Sequence, residues 1–345
     1  MCLLSGSSTA EPHDKFFERG YEVMKVLVTG GAGFIGSHLV RALLAAGHDV
    51  RIVDNLSTGK QTNLTPVAKE VELVLGDIRD EAVARKSVVG RELIFHQAAL
   101  PSVPRSVKDP RNSVDNNVLG TVVLLKAAVD AGVRRVIYAG SSSAYGNCAE
   151  DPKVETITPR VLSPYAASKL AGESLLQAFS SCYGLETIVT RYFNVFGERQ
   201  DAASQYSGVI AKFCKCMLAN ESPVVFGDGL HSRDFTYVGN VVKGNLCAAE
   251  ADAALVSGEV FNIACGGSIT LNNLVDEINQ ILGAELRPRY EQSRVGDILH
   301  SRADIRKAER LLGYKPVLAF SNGLRRTIEW YASDAKDAPL ARKAG

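Results

Sequence analysis

Short apolar runs and longer amphipathic stretches alternate through the first half of the chain. The runs are rich in Val, Ile and Leu, which is typical of buried strands, while the stretches repeat their apolar residues with a helical period. Strands are predicted at 25–29, 49–53, 71–75, 92–96, 133–139 and 185–191, and helices at about 34–46, 80–88, 112–131 and 164–183. This alternation indicates an α/β fold with a doubly wound parallel sheet that helices cover on both faces.

The pattern changes after Arg191, where short apolar runs at 224–226 and 260–263 mix with Gly and Asp turns. Helices are predicted near 207–219, 238–250, 271–282, 304–311 and 321–333. We expect a first domain at 24–195 and a smaller C-terminal α/β domain at 196–345. The boundary is soft, because segments within 235–263 are candidates to pack back on the first domain. Residues 1–23 are polar after two leucines and are interpreted as an N-terminal extension, not a signal peptide.

Composition narrows the classes of function. The 345 residues carry 39 basic and 38 acidic side chains, a net charge of +1, and the charges are scattered along the chain. Scattered, balanced charge argues against a nucleic-acid partner. No apolar run approaches the roughly 18 residues that a membrane span needs, so no membrane partner is expected. Seven cysteines show neither a secreted framework nor zinc spacing, which favours reduced thiols, a cytoplasmic location and no metal site.

Three glycines follow the first strand at three-residue spacing: Gly30, Gly33 and Gly36. A helix is predicted to begin directly among them. The absent side chains would let the backbone approach a pyrophosphate, and the free N–H groups of a helix N-terminus favour an anion. A bare glycine triplet also occurs in tight strand–helix turns that bind nothing, so the surrounding sequence decides between the two interpretations.

Acidic residues near the next strand ends favour nucleotide binding. Asp54 follows the second strand, 18 residues beyond Gly36, where an adenosine ribose would need a carboxylate acceptor. Its charge would repel a 2′-phosphate, which favours NAD over NADP. Asp77 and Ile78 follow the third strand and are candidates to meet the adenine, although a strand-end turn with an N-cap Asp is the alternative. His96 ends the fourth strand amid apolar neighbours and is interpreted as a core histidine.

Tyr165 and Lys169 are four residues apart in a predicted helix and therefore share one face. A phenol titrates near ~10 in water, and a neighbouring ammonium and a cationic nicotinamide ring would both favour its ionised form. Tyr165 is therefore a candidate base. The serines 141–143 follow the apolar strand at 133–139, at the end where open α/β sheets bind ligands, and a hydroxyl there would relay a proton. Without Tyr165 and Lys169, the same cluster would be interpreted as a serine-rich turn.

With these residues in place, the chain resembles the extended short-chain dehydrogenase/reductase family, and within it the nucleotide-sugar 4-epimerases. The similarity runs from Lys25 to about Trp330. It rests on Ser141 and on the segments 30–36, 165–169, 191–197, 233–235 and 294–297. The resemblance implies a Rossmann-type fold, bound NAD, a UDP-sugar substrate and a homodimer. The dimer would form through the helices near 112–131 and 164–183, whose apolar rows fit an intramolecular core equally well.

The resemblance also assigns roles by position. It implies that Ser141, Tyr165 and Lys169 are catalytic, with Tyr165 as the base and Lys169 as its partner. The implied cofactor-binding residues are Gly30, Gly33, Phe34, Ile35, Gly36, Asp54, Asn55, Ser57, Gly59, Asp77, Ile78, Gln97, Ala98, Ala99, Tyr165, Lys169 and Tyr192. The implied substrate-binding residues are Ser102, Ser141, Ser142, Ser143, Tyr165, Asn194, Gln200, Gly208, Val209, Val224, Phe226, Arg233, Arg294, Asp297 and Ser301.

Some of these substrate roles are specific. The resemblance places Asn194, Arg233 and Arg294 at the diphosphate, Asp297 at the uridine ribose, and Val224 with Phe226 beside the uracil. From the residues alone, Arg233 could equally pair with the adjacent Asp234, and Arg294 could be a solvated loop residue.

Related enzymes dehydrate or decarboxylate a sugar from the same 4-keto intermediate and need an additional acid or base. The family usually keeps an acid between the catalytic Ser/Thr and the following Tyr-Gly pair, where this chain has Ser142, Ser143 and Ala144. Hydroxyls titrate too far above neutral pH to replace a carboxylate as base. The resemblance therefore favours NAD-dependent 4-epimerisation, in which hydride leaves C4 of the sugar and returns to its opposite face.

The sugar is predicted from small residues. In the resemblance, Ser301 stands beside the position-2 substituent and Gly208 near another wall, so both leave room for an N-acetyl group. UDP-GlcNAc and UDP-GalNAc are the preferred substrates on this basis. UDP-glucose also fits, because a roomy pocket excludes a smaller ligand only weakly. UDP-glucuronate remains an alternative with Arg105 as the candidate cation, and a nucleotide-sensing regulator on the same fold is the non-enzymatic alternative.

Overall fold

The structure, a computed structural model, describes residues 23–202, 208–293 and 299–337. Its strands are β1 Lys25–Thr29, β2 Asp49–Asp54, β3 Glu72–Leu75, β4 Leu93–His96, β5 Arg135–Ser141, β6 Glu186–Tyr192, β7 Val195–Phe196, β8 Val224–Phe226, β9 Ser232–Arg233, β10 Thr236–Tyr237, β11 Glu259–Ile263, β12 Ile269–Thr270, β13 Arg289–Glu291 and β14 His300–Ser301. Its helices are α1 Phe34–Ala45, α2 Glu81–Val88, α3 Val103–Lys108, α4 Pro110–Val114, α5 Gly120–Asp130, α6 Pro164–Tyr183, α7 Val209–Leu218, α8 Val238–Glu250, α9 Ala253–Val256, α10 Leu271–Leu282, α11 Arg306–Leu312 and α12 Phe320–Asp337.

Seven strands form the central sheet in the order β11-β6-β5-β4-β1-β2-β3. Every neighbouring pair is parallel, so each connection must cross over the sheet, and helices make most of these crossovers. The order of the first six strands is that of doubly wound dinucleotide-binding folds. The predicted α/β fold class is therefore confirmed, and the carboxyl ends of all seven strands meet at one edge of the sheet.

Helices bury both faces of this sheet. On one face α1, α8 and α11 pack around Leu39, Ile52 and Phe261, and on the other α2, α5 and α6 pack around Leu125 and Leu176. The near-continuous apolar character of strands such as β1 and β4 follows from this burial on both sides. α8 and β11 come from the C-terminal half of the chain, yet they lie in these layers and extend the N-terminal sheet.

The remaining C-terminal elements enclose a separate apolar cluster around Phe213, Leu274 and Leu324, formed by α7, α10 and α12. Small sheets flank it, one in the order β12-β9-β14 and one that pairs β13 with β8. Their register places Ser301 opposite Arg233. Two residues per strand are too few to show an alternating pattern, which is why the sequence predicted β8 and β11 but not β9 or β14.

One predicted helix, at 112–131, is interrupted in the structure. α4 ends at Val114, a π-helical turn spans Asp115–Leu119, and α5 begins at Gly120. A π turn inserts one extra residue, which a count at 3.6 residues per turn does not detect. Within the described ranges, none of the helices has both the length and the apolar character needed to cross a membrane.

Candidate active site

The carboxyl ends of the central strands open into a cleft of about 550 Å³. Each strand from β1 to β6 carries a cleft residue at its end or just beyond it, as expected for an open α/β sheet. The residues proposed from the sequence that line the cleft are Gly30, Gly33, Phe34, Ile35, Gly36, Asp54, Asn55, Ser57, Asp77, Ile78, Gln97, Ala98, Ala99, Tyr165, Lys169, Tyr192, Gln200 and Gly208.

The glycine turn between β1 and α1 is closed tightly enough to require its glycines. A Cβ on Gly36 would lie 2.1 Å from the carbonyl oxygen of Gly30, and a Cβ on Gly30 would lie 2.8 Å from the backbone of Ala98. α1 begins after Gly33 without a side-chain cap and without an acidic residue in its first turn. Its first N–H groups therefore suit an anionic ligand, so this turn fits the diphosphate of a dinucleotide.

Asp54, at the end of β2, shapes the same turn. Its carboxylate accepts N–H groups from Ala32 at 2.9 Å and from Leu56 at 2.8 Å, and the residue is only 8% exposed. Burial raises the pKa of Asp54, and the two backbone hydrogen bonds oppose that rise. Gly59 does not line the cleft. A Cβ there would lie 3.0 Å from Ala32, so this glycine packs against the turn.

Asp77, after β3, lines the cleft beside Asn55. Hydrogen bonds from the Arg79 side chain are the main cause that lowers the pKa of Asp77 to about 2, and the Asn55 amide donates to the same carboxylate at 2.9 Å. The N-cap of α2 is Asp80, whose side chain accepts two backbone N–H groups. The strand-end turn of the alternative is present, because Asp77 Oδ1 accepts the Arg79 N–H at 2.9 Å, but the N-cap of the helix is Asp80; Asp77 also lines the cleft and is ionised.

His96 is a core histidine, as predicted. It is 1% exposed, with Nδ1 2.7 Å from the Thr29 hydroxyl and Nε2 3.0 Å from the Thr121 hydroxyl. Burial lowers the pKa of His96 to about 3, so the ring is neutral. The next residue, Gln97, donates a hydrogen bond to the Tyr192 hydroxyl at 3.0 Å, which joins the ends of β4 and β6 across the cleft floor.

Tyr165 lies in the first turn of α6, where Ser163 caps the helix and Pro164 follows it. Tyr165 lines the cleft, and its phenol interacts with the Ser141 side chain, whose hydroxyl accepts from Ser143 Oγ at 2.8 Å. Burial raises the pKa of Tyr165, and the interaction with Ser141 opposes the rise. Lys169 and a bound nicotinamide ring are the charges predicted to favour the ionised phenol; in the protein without cofactor, desolvation is the largest effect on the pKa of Tyr165.

Lys169 lies one helical turn after Tyr165 and is 3% exposed. Burial lowers the pKa of Lys169 to about 8, and the negative charge of Glu173 opposes that effect. The Lys169 ammonium lies 4.6 Å from the centroid of the Tyr138 ring. An ammonium in the cleft wall offers donors to ribose hydroxyls and a positive charge beside the phenol. Tyr165 and Lys169 thus stand together in one wall of the cleft, and Ser141, which does not line the cleft, interacts with Tyr165.

The remaining proposed substrate residues do not line the cleft; in the described part of the chain these are Ser102, Ser141, Ser142, Ser143, Asn194, Val209, Val224, Phe226, Arg233 and Ser301. Ser102 caps α3 by accepting the Arg105 N–H at 3.1 Å. Asn194, in the left-handed region at φ +35°, donates to the Asp234 carbonyl oxygen at 3.3 Å and so lies beside β9. Arg294 and Asp297 lie outside the described residues.

Asp234 fixes the strands that carry the substrate candidates. It is buried, and its carboxylate accepts N–H groups from Cys265 at 3.1 Å and from Ala303 at 3.2 Å. Burial raises the pKa of Asp234 to about 6, against the effect of these bonds. The carboxylate therefore holds the end of β9, where Arg233 lies, against the segment that follows Ser301.

Several cleft residues were missed by the sequence argument. Val53, Gly76, Thr58, Leu100, Asn116, Val195 and Asp201 line the cleft without having been singled out. A signal existed at 116–117, where two asparagines interrupt an apolar helix. Asn117 is buried there, accepts the Leu100 N–H at 2.7 Å and donates to Ser168 Oγ at 2.9 Å, which ties the loop after β4 to α6. In the described parts, no three His, Cys, Asp or Glu side chains cluster as a metal site requires.

A glycine turn, a carboxylate at the end of the second strand and a Tyr–Lys pair on one open parallel sheet are the features of a dinucleotide-dependent enzyme fold. Residues 26–264 match the NAD dependent epimerase/dehydratase family, and the chain belongs to that family. Phe34, Asp54 and Lys169 all lie within the matched range.

Similar proteins cover almost the whole chain. A putative UDP-glucose 4-epimerase from Methanocaldococcus jannaschii is 40% identical over 88% of this chain and 97% of its own length. The structure of a UDP-N-acetylglucosamine 4-epimerase from Methanobrevibacter ruminantium, in complex with UDP-N-acetylmuramic acid, is 40% identical with a TM-score of 0.87 and covers 91% and 100% of the two chains. A Thermus thermophilus UDP-glucose 4-epimerase in complex with NAD is 34% identical with a TM-score of 0.82, and covers 92% and 100%.

Proposed function

We propose that this protein is an NAD-dependent UDP-hexose 4-epimerase that interconverts UDP-GlcNAc and UDP-GalNAc and also accepts UDP-glucose and UDP-galactose. One observation carries the proposal: Tyr165 and Lys169 stand in the wall of the same cleft that the glycine turn opens into, and the Ser141 side chain interacts with the Tyr165 phenol. NAD, when bound, accepts hydride from C4 of the sugar and gives it back. Gly30, Gly33, Gly36, Asp54 and Lys169 would hold it.

The residues of this chain move the proton. Tyr165 is the group placed to take the proton of the sugar O4 hydroxyl and to return it to the 4-keto sugar once the sugar has turned over. Ser141 accepts a hydrogen bond from Ser143, so its own proton is free to be donated toward Tyr165 or the sugar oxygen. Because burial keeps the pKa of Tyr165 high, the positive charge of Lys169 is needed to stabilise the phenolate.

The substrate choice rests on residues around β9 and β14. Ser301 pairs with Arg233, and the Asp234 N–H donates to the Ser301 carbonyl oxygen at 2.8 Å, so the backbone of the small Ser301 is held opposite a residue whose guanidinium is suited to a phosphate. The Methanobrevibacter relative, named for UDP-N-acetylglucosamine, supports the N-acetylated substrate, and the Thermus relative supports the plain hexose. Arg105 lines the cleft, so a UDP-hexuronate is the second candidate substrate.

The test is product analysis with the purified holoenzyme. UDP-GlcNAc, UDP-glucose and UDP-glucuronate are incubated separately, and the C4 epimers are resolved by proton NMR of the anomeric signals. We expect UDP-GalNAc from the first and UDP-galactose from the second. Conversion of UDP-glucose alone would contradict the N-acetyl assignment, conversion of UDP-glucuronate alone would move the assignment to Arg105, and no conversion of any substrate would overturn the proposed activity.

A homodimer is part of the proposal. Val118, Val122, Leu170 and Leu175, near and on α5 and α6, are only half-buried within the chain, whereas Leu125 is fully buried. A second copy would cover the half-buried row by pairing the same helices. Sedimentation velocity is expected to give a dimer, and Leu175→Glu is expected to shift it to monomer; a monomeric unsubstituted protein would contradict this part of the proposal.

A further inference from the structure

We infer that Tyr138 is a positioning residue for Lys169: the face of its ring holds the lysine ammonium in the cleft wall, one helical turn from the phenol of Tyr165. The inference rests on the proposed function, which gives Lys169 its task beside Tyr165. Tyr138 lies on β5 beneath α6, is 1% exposed, and does not line the cleft. Its ring contacts the Lys169 ammonium, so its effect on the chemistry is expected to pass through that residue.

The geometry is that of a cation over an aromatic ring. The Lys169 ammonium lies 4.6 Å from the Tyr138 ring centroid, within the range where the negative ring face attracts a cation. Such a contact is stronger in a buried site than in water, because the surroundings screen it less. It also favours the charged form of the lysine, which burial disfavours.

The helix is built to admit this ring. A Cβ on Gly172 would lie 2.1 Å from the Tyr138 hydroxyl oxygen and 2.5 Å from the carbon that carries it, so only glycine leaves the notch that the phenol occupies. That hydroxyl is buried and forms no hydrogen bond to any described residue. A buried unpaired hydroxyl is costly, and the ring rather than the hydroxyl makes the contact with Lys169.

The other charged and titratable groups around Lys169 do not replace the ring. Glu173, one turn further along α6, is bound by Arg191 of β6 through three hydrogen bonds of 2.7 to 3.1 Å. His96 of β4 lies 5.5 Å from Tyr138 between ring centroids and is neutral, so it contributes no attraction. Tyr165, on the cleft side of α6, is a phenol whose own pKa is raised. Glu173 also attracts the ammonium, but its carboxylate is already paired with Arg191; among the described residues around Lys169, the Tyr138 ring is the attractive group without such a partner.

The experiment varies the ring electrons while keeping the ring shape. Tyr138→Phe removes the unpaired hydroxyl, and the mono-, di- and trifluorinated phenylalanines are then placed at position 138, each of which weakens the negative ring face further. For every protein, with NAD bound, the pKa of Lys169 is measured by NMR titration of ¹³C-labelled lysine, with Lys169→Met to assign the signal. The pH profile of kcat is recorded in parallel.

We expect Tyr138→Phe to fold and to keep the titration of the unsubstituted protein. Across the fluorinated series the pKa of Lys169 is expected to fall stepwise, by about one unit in total, and the alkaline limb of the kcat profile is expected to move down with it. A constant Lys169 titration through the series would overturn the inference. Failure of Tyr138→Phe to fold would also overturn the inference, because it would show that the Tyr138 hydroxyl makes a contact that the folded protein needs. The NMR titration does not depend on turnover. It therefore tests the contact between Tyr138 and Lys169 even if the protein lacks the proposed epimerase activity.

Discussion

The carboxylate of Glu173 accepts three hydrogen bonds from the guanidinium of Arg191: Nη2 lies 2.7 Å from Oε2, and Nε lies 3.1 Å from both oxygens. Both side chains are almost fully buried, at 3% and 4% exposure. The Arg191 guanidinium also packs over the Tyr145 ring, with its central carbon Cζ 4.7 Å from the ring centroid. This pair joins α6 to β6 one helical turn after Lys169.

Glu173→Gln is expected to destabilise the protein by about 3–5 kcal/mol, because it leaves the Arg191 charge buried without a counter-charge. Urea unfolding followed by circular dichroism measures the change. The matched control is the double variant Glu173→Leu with Arg191→Met, which removes both charges and is expected to recover most of the loss. Equal destabilisation by the single and double variants would show that packing, not the charge pair, holds this contact.

Gly36→Ala is expected to abolish NAD retention, because its Cβ would meet the Gly30 carbonyl oxygen at 2.1 Å, between two backbone segments that have no side chain to move. The NAD content of the purified protein gives the answer. Gly267→Ala is the control, since a Cβ there meets nothing within 4 Å and its φ is not in the left-handed region. Full NAD content in Gly36→Ala would mean that the turn can relax without losing its ligand.

The sequence predicts the central fold closely, for a physical reason. Strands buried on both faces are continuous apolar runs, and Pro164 and Gly184 mark the two ends of α6. β9 and β14 are too short to carry a period, and the Asp234 carboxylate beside them accepts backbone N–H groups from segments distant in the sequence. Such a long-range contact leaves no local pattern.

For the site, motif spacing predicts which residues meet at the cleft but not what burial does to them. Tyr165 and Lys169 share one helix face as expected, yet desolvation dominates the pKa of both. Tyr138 looks like one more apolar strand position in the sequence. Its relation to Lys169 depends on the notch at Gly172, which only the packed structure shows.

Tyr165→Phe is expected to lower kcat by about 10²- to 10⁴-fold, the usual contribution of a positioned acid–base group, while NAD content is unchanged. The loss follows from removal of the phenol oxygen that interacts with Ser141 in the cleft wall occupied by Tyr165 and Lys169. Tyr183→Phe, at the exposed end of the same helix, is the control and should keep full activity. A kcat within tenfold of the unsubstituted enzyme would remove Tyr165 from the role of base.

Lys169→Met should change the pH dependence of stability as well as activity. The folded-state pKa of Lys169 is about 8, below the ordinary value of 10.5. Between these two pH values the unfolded chain binds more protons than the folded protein, so the free energy of unfolding gains a term that rises with pH in this window. Lys169→Met is expected to remove that rise and to be more stable than the unsubstituted protein at pH 7, but inactive.

Urea unfolding at pH values from 7 to 10 measures the difference. Lys86→Met, an exposed lysine on α2, controls for the other groups that titrate in this range. If the free energy of unfolding changes with pH in the same way in Lys169→Met and in the unsubstituted protein, then burial does not lower the pKa of Lys169.

Ser301→Tyr is expected to separate the two sugar substrates. The backbone of Ser301 is fixed by its pairing with Arg233 and by the hydrogen bond from the Asp234 N–H, so a larger side chain cannot be accommodated by moving the strand. If Ser301 stands beside the substituent at position 2, added bulk costs the N-acetylated sugar roughly tenfold to a hundredfold in kcat/KM, the range of ordinary steric overpacking. UDP-glucose, with a hydroxyl there, should lose little. Ser301→Ala preserves the space and should leave the ratio of the two kcat/KM values unchanged, whereas an equal loss for both substrates in Ser301→Tyr would place the selectivity elsewhere in the site.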